Sequence, residues 1–217
     1  MNKILILTIA LLKCLICSAE TPVTLYYFNN DQVTTKTVYN NKMQEVARQE
    51  YRCLSSIKGT YSVNGETITF KNKKKKDVTN ASFTIIDNRL MVSMGKSKSG
   101  QIVSLDYSLV NDEYLITAIE FENTVQIAGK NINVQCEISN RHKLIDEEYI
   151  NTPKGKQLCI KSEYDMSIKP KILGFGIPIK VHVIEWFSPS MGIVKTEIYK
   201  KGELYEQRII SDFSPIK

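Results

Sequence analysis

The sequence predicts a mainly β fold: an antiparallel β-sheet protein, an open barrel or a two-sheet half-barrel, with little helix. Three observations predict it. Apolar residues recur with a period of two along most of the chain, the signature of strands with one buried face. The runs are rich in β-branched and aromatic residues, which pack well on a pleated surface. Short Asn, Asp, Gly and Lys clusters separate them, as turns do in antiparallel sheets.

The 217-residue chain opens MNKILILTIALLKCLICSAETPV. Lys3 forms a short basic region, Ile4 to Leu12 an apolar run, and Cys17-Ser18-Ala19 a small-residue site before Glu20. That order is a secretory signal peptide, with cleavage near Ala19. The run is too short for a membrane span, and no later segment is long and apolar enough to be one. The expected organisation is a signal peptide over 1–19 and a single β-rich domain over 20–217, exported to the periplasm or the cell exterior. The formal charge of +6 falls to +4 without Lys3 and Lys13, since residues 1–19 contain no acid. A charge that small, spread along the chain, gives no reason to expect nucleic acid as a partner.

Residues 42–54 fit two periods. Met43, Val46, Ala47, Tyr51 and Leu54 fall at helical spacing, whereas Tyr51, Cys53, Ser55 and Ile57 fall at strand spacing. Next, Asn64-Gly65 separates Thr60–Val63 from Glu66–Phe70 and predicts a two-residue hairpin loop, which needs positive φ at both positions. Asp87-Asn88, Ser99-Gly100, Asn111-Asp112 and Gly129-Lys130 are further turn candidates. Three times an aromatic residue precedes an Asn/Lys-rich turn: Tyr39-Asn40-Asn41-Lys42, Phe70-Lys71-Asn72-Lys73 and Tyr199-Lys200-Lys201-Gly202. Each is expected to end a strand on a buried aromatic and turn in solvent. The second continues into Lys74-Lys75-Lys76-Asp77, either a polyanion patch or a solvated tip that discourages edge association.

Ile132, Val134, Cys136 and Ile138 alternate with polar residues, as do Leu158, Ile160, Tyr164, Met166 and Ile168. Ile172-Leu173-Gly174-Phe175-Gly176-Ile177-Pro178-Ile179 is the most apolar stretch after the signal peptide, and its glycines and proline make it a loop or lid. Val181 to Phe187 reads as a strand, and alternation resumes at Ile193. Ser188 to Gly192 therefore joins two paired strands, with Pro189 at a strand end and Gly192 free to adopt positive φ. Trp186, the only tryptophan, belongs at that corner, with its ring buried and its N–H near a partner.

Cys53, Cys136 and Cys159 remain after the signal peptide. An odd number allows one internal bridge at most, the spacing is unlike a metal site, and small buried hydrophobes is the plainest reading. No metal and no cofactor is expected. His142 lies near Asp146, Glu147 and Glu148, and His182 near Glu185. Either could supply acid/base chemistry to a hydrolase. However, adjacent acids on a strand point to opposite faces, and there is no nucleophile elbow, zinc-ligand pair or phosphate loop. The expectation is a non-enzymatic sheet protein that binds an apolar small molecule or an envelope protein, with Phe175, Ile177 and Trp186 at a pocket rim.

Glu185-Trp186-Phe187-Ser188-Pro189-Ser190-Met191-Gly192-Ile193-Val194-Lys195-Thr196-Glu197 resembles the closing motif of the exported bacterial family called domain of unknown function 3108-like, TapB-type. Arg141 to Lys161, with Glu148 and Pro153-Lys154-Gly155-Lys156-Gln157-Leu158-Cys159-Ile160-Lys161, is similar to a second family segment. It departs at Lys154 and Gln157-Leu158, where a small and an aromatic residue are commoner. The resemblance spans about residues 23–213 and is specific only in the last third. It implies one β domain, an exported location and a strand over residues 44–57. It brings no activity, cofactor or assigned functional residue.

Overall fold

A computed structural model describes residues 29–216 apart from 30, 58–61, 87–88, 97–98, 109–118, 128–129 and 171–177. The signal-peptide reading of 1–19, the Asn111-Asp112 turn, Phe175 and Ile177 lie outside the described residues. Among the described residues there is no helix. Twelve strands follow one another: β1 (Gln32–Asn40), β2 (Glu45–Ile57), β3 (Ser62–Lys71), β4 (Lys74–Ile86), β5 (Arg89–Lys96), β6 (Ile102–Ser108), β7 (Ile119–Ile127), β8 (Lys130–Thr152), β9 (Gly155–Pro170), β10 (Ile179–Ser188), β11 (Gly192–Lys200) and β12 (Glu203–Pro215).

The strands form one antiparallel sheet in the order β4-β3-β2-β1-β12-β11-β10-β9-β8-β7-β5-β6. Chain neighbours pair with one another almost throughout, and β1 pairs with β12, from Gln32↔Pro215 to Asn40↔Glu206. The sheet closes because β5 pairs both with β4 (Phe83↔Val92 to Ile86↔Arg89) and, through Lys96↔Glu122, with β7. Eleven strands thus make a closed barrel, and β6 runs beside β5. Closure pairs the β4 and β7 edges that an open sheet would offer to other chains.

Residues 42–54 resolve in favour of a strand. In β2 the odd-numbered Ala47, Tyr51 and Cys53 are buried, whereas Val46 and Leu54 are exposed, so the helical stripe is split between two faces. Asn64-Gly65 is a correction. It lies inside β3, with Gly65 opposite Cys53 of β2 and Ala81 of β4. Residues 58–61, between β2 and β3, lie outside the described residues. Gly65 is needed for space rather than for a turn: a Cβ there would come 2.5 Å from the Tyr51 ring.

The turns at 41–43, 72–73, 99–100 and 201–202 fall where the sequence sets them, and Asp87-Asn88 and Gly129 lie outside the described residues. Asn72 (φ 50°) and Lys73 (φ 60°) form the two-residue loop between β3 and β4, and both have the positive φ of a type I′ hairpin. Lys71 to Lys76 are all exposed. Lys201 (φ 55°) and Gly202 (φ 82°) do the same between β11 and β12. Tyr39, Phe70 and Tyr199 precede their turns as expected, but they are half-buried, because the barrel rim is open to solvent on one side.

The main core fills the barrel. Tyr51, Phe83, Leu90, Leu105, Tyr107, Phe121, Ile138, Tyr164, Val183 and Phe187 are buried together. Tyr51 meets Phe83 edge-on at 5.4 Å, and Tyr107 stacks on Phe187 at 5.0 Å, geometries that suit aromatic quadrupoles. Cys53, Cys136 and Cys159 are buried, and none of them is in a disulfide.

A second, smaller core lies outside the barrel wall. β8 and β9 form a long hairpin, and β8 carries register shifts between Ser139 and His142 and between Lys143 and Glu147. Bulges of this kind bend a strand. Beyond them the hairpin folds over its neighbours, since β8 touches β11 although β9 and β10 lie between them in the sheet. At its tip the Lys154 ammonium sits 5.2 Å from the Phe213 ring of β12. Ser190 Oγ donates to Gln157 Oε1 at 3.2 Å, tying the β10–β11 loop to the same hairpin. Under this flap Ile150, Cys159, Trp186, Met191, Val194 and Ile210 are buried.

Gly65→Ala is expected to destabilise the protein by about 1–3 kcal/mol through overpacking against Tyr51. Adding Tyr51→Leu should recover part of that loss, measured as the denaturant midpoint. A midpoint equal to wild type for Gly65→Ala would contradict the packing role.

Candidate functional site

The barrel holds a cavity of about 490 Å³. Its walls follow from strand alternation. Along β10, Val181, Val183 and Glu185 line it, and along β9 Tyr164, Met166 and Ile168 face them across the pairs Val183↔Tyr164 and Val181↔Met166. Val92 and Met94 of β5, Leu105 and Tyr107 of β6, and Ile193 and Ile198 of β11 complete an apolar half. The polar half comes from Lys36 of β1, Gln49 of β2, Thr196 and Lys200 of β11, and Glu206 and Arg208 of β12. Glu185, Thr196 and Arg208 stand in one cross-strand row, through the pairs Glu185↔Thr196 and Thr196↔Arg208.

Glu185 anchors the polar half. Its Oε2 accepts a hydrogen bond from Tyr107 at 2.5 Å, and its Oε1 accepts one from Tyr164 at 3.2 Å. A buried carboxylate is expensive unless donors satisfy it, and two phenols supply them. Burial first and the Glu185 charge second push both phenols well above their ordinary 10.0, so they stay protonated donors. Behind Tyr107 the network continues. The buried Arg141 guanidinium lies 4.8 Å from the Tyr107 ring centre and bonds Asp106 Oδ1 at 3.2 Å, while Arg89 holds Asp106 Oδ2 at 2.8 Å. Across the cavity, burial lowers Lys36 from 10.5 to about 8, opposed by the attraction of Glu185 and reinforced by Arg208. Arg208 Nε pairs with Glu206 Oε1 at 2.6 Å.

Of the sequence-predicted residues, Phe175 and Ile177 lie outside the described residues, and Trp186, His142 and His182 lie away from this cavity. Trp186 lies one position from Glu185 and so on the opposite face of β10, outside the cavity lining and under the β8–β9 flap. Its indole N–H donates to Glu148 Oε2 at 2.7 Å, and the Lys195 and Lys161 ammonium groups sit 4.1 and 5.0 Å from the ring centre. The corner reading of Trp186 therefore describes its surroundings, with lysine stems closing the pocket around the ring.

His142 and His182 also sit on the outer face. His142 Nε2 contacts Glu163 Oε1 at 2.5 Å, and His182 reaches Glu163 Oε2 at 3.3 Å and Asp165 Oδ1 at 3.1 Å. Their partners are thus on β9, not the acids near them in sequence, because pairing across the sheet outranks proximity along the chain. Asp165 is held below the usual carboxylate range, chiefly by the Asn140 amide and then by His182. Among the described residues no group of three or more His, Cys, Asp or Glu is placed to hold a metal ion. Burial pushes the Cys136 thiol up, and the Cys159 thiol up to about 11, which keeps both as thiols rather than nucleophilic thiolates.

The cavity's polar residues escaped sequence reasoning because each looks like an outward residue on a half-buried strand. One signal was available: Glu185 is in phase with Val181, Val183 and Phe187, the apolar set of its own strand.

Two outcomes follow. Trp186→Ala should cost about 3–5 kcal/mol, as loss of a buried ring does, with Trp186→Phe recovering much of it and native emission blue-shifted. Native emission equal to that of the unfolded chain would contradict the burial. Stability should also fall as pH rises above 10.0, because the unfolded tyrosines ionise there while Tyr107 and Tyr164 keep their protons. The Tyr107→Phe/Tyr164→Phe pair should flatten that alkaline limb in pH-dependent melting.

A family model described as DUF3108-like matches residues 30–208. Two solved structures share the fold. One is a protein from Parabacteroides distasonis ATCC 8503 described as a lipoprotein, with a TM-score of 0.67, 15% identity, and coverage of 88% of this chain and 99% of that one. The other is a protein from Bacteroides fragilis NCTC 9343 described as exported with a YmcC-like fold, with a TM-score of 0.57, 18% identity, and coverage of 86% and 96%. No curated protein matches the sequence. With most of its length matched by that family model, and with the motif around Trp186 closing the second core, the chain belongs to the DUF3108-like family.

Proposed function

We propose that this chain is an exported, non-enzymatic carrier that holds an apolar or amphiphilic small molecule inside its barrel. The observation that carries the reading is the cavity. Its volume of about 490 Å³ falls within the roughly 300–1,000 Å³ typical of small-molecule sites. Its lining combines a broad apolar wall with a few fixed polar groups, the pattern such sites use to bind and orient a ligand. Ile168 of β9 and Ile179 of β10 extend that apolar wall. The export reading rests on the sequence of residues 1–19 and agrees with the descriptions of the two similar structures, one a lipoprotein and one exported. A hydrolase at His142 or His182 has less support, since both rings are engaged by Glu163 and Asp165 away from the cavity.

The test is binding of the neutral fluorophore N-phenyl-1-naphthylamine by the mature chain. Saturable fluorescence enhancement is expected, and Met166→Trp, which fills the apolar wall, should weaken it by about tenfold, or 1.4 kcal/mol. The melting midpoint of that variant is recorded alongside. No saturable binding, or binding indifferent to Met166→Trp in a folded variant, would overturn the carrier reading.

A further inference from the structure

Resting on that carrier reading, we infer that the cavity selects amphiphiles with an acidic head group, a long-chain carboxylic acid being the simplest case. The head lies against Lys36 and Arg208, and the chain lies along the wall of Val92, Met94, Met166 and Val181.

The sign of the head group follows from how the polar half is already committed. Five acidic or basic side chains line the cavity: Lys36, Lys200 and Arg208 against Glu185 and Glu206. Three cations against two carboxylates leave the lining at +1 when Lys36 is protonated. A bound carboxylate brings it to neutrality, and a bound ammonium raises it to +2. In a low-dielectric interior that difference is large.

The hydrogen-bonding inventory points the same way. Both oxygens of Glu185 already accept from phenols, Tyr107 on one and Tyr164 on the other. Glu206 accepts from Arg208. Three of the four carboxylate oxygens of the lining therefore already hold donors. Lys36 carries three N–H donors and Arg208 five, and neither has any acceptor capacity. A head group that only accepts, such as a carboxylate, matches what they offer. A head group that must donate competes at those oxygens with donors already in place.

The position of Lys36 adds a pH signature. The groups around it on the packed elements are Glu185 on β10, Glu206 and Arg208 on β12, Lys200 on β11, Tyr107 on β6, Tyr164 on β9 and the uncharged Gln49 on β2. The phenols stay neutral because their values lie well above 10.0. Lys36, at about 8, is the cavity group that changes charge just above neutrality. Binding of an acid favours its charged form. Acid affinity should therefore weaken as pH rises from 7 through about 8 and beyond, while alcohol affinity stays flat.

The experiment displaces N-phenyl-1-naphthylamine from the mature chain with dodecanoic acid, 1-dodecanol and dodecylamine at pH 7, and repeats the series at pH 9.5. Dodecanoic acid should compete at least about tenfold better than the alcohol, and the amine should be the weakest of the three. In Lys36→Met, and in Lys36→Gln as a second folded check, the acid-over-alcohol ratio should collapse to within about threefold and lose its pH dependence. Equal competition by acid and alcohol, or preference for the amine, overturns the head-group assignment and leaves the carrier reading standing. If the fluorophore itself fails to bind, both fall together.

Discussion

Closure of the sheet is the constraint on which the rest of the molecule depends. An antiparallel sheet of this width has to satisfy its edges, and here β4 and β7 are brought together on β5. A barrel's diameter grows with its strand number, and about eight strands already enclose an interior that side chains just fill. Eleven enclose more. The buried aromatics around Tyr107 and Phe187 fill one part of the space, and the cavity is what they leave. The pocket is a consequence of strand count before it is a consequence of any one residue.

The interior is not uniformly apolar, and this is where fold and candidate function meet. Glu185, Tyr107, Tyr164 and Arg141 form a connected polar network among buried hydrophobes. Such a network is tolerable only when its members are satisfied. Tyr107 and Tyr164 meet the needs of Glu185 without bringing a second charge. Replacing these groups with hydrophobes would make a simpler core.

The second core does a different job. The β8–β9 hairpin is longer than the barrel wall needs, and its bulges let it bend over β10, β11 and β12. That flap buries Trp186, Met191 and Val194, so the family motif around the tryptophan reads as the packing code of a corner rather than of a pocket. The same strand, β10, thus serves two interiors at once: Trp186 faces the flap and Glu185 faces the barrel.

The sequence by itself determined the strands and most of the turns, because both are written locally. Period-two alternation marks β8 to β11, and Asn72-Lys73, Lys201-Gly202 and Ser188–Gly192 turn where turn chemistry places them. Local rules failed at Asn64-Gly65, where the glycine makes room for Tyr51 from the next strand. They were silent on residues 42–54, where two periods overlap and only burial against β1 and β3 chooses between them. The tertiary structure alone decided which face of each strand looks into the barrel. It also decided that Lys36, Glu185 and Arg208, distant in sequence, share one cavity, and that His142 and His182 meet on Glu163 outside it. The physical reason is that alternation gives every strand two faces but names neither as the inside; closure of the sheet names it.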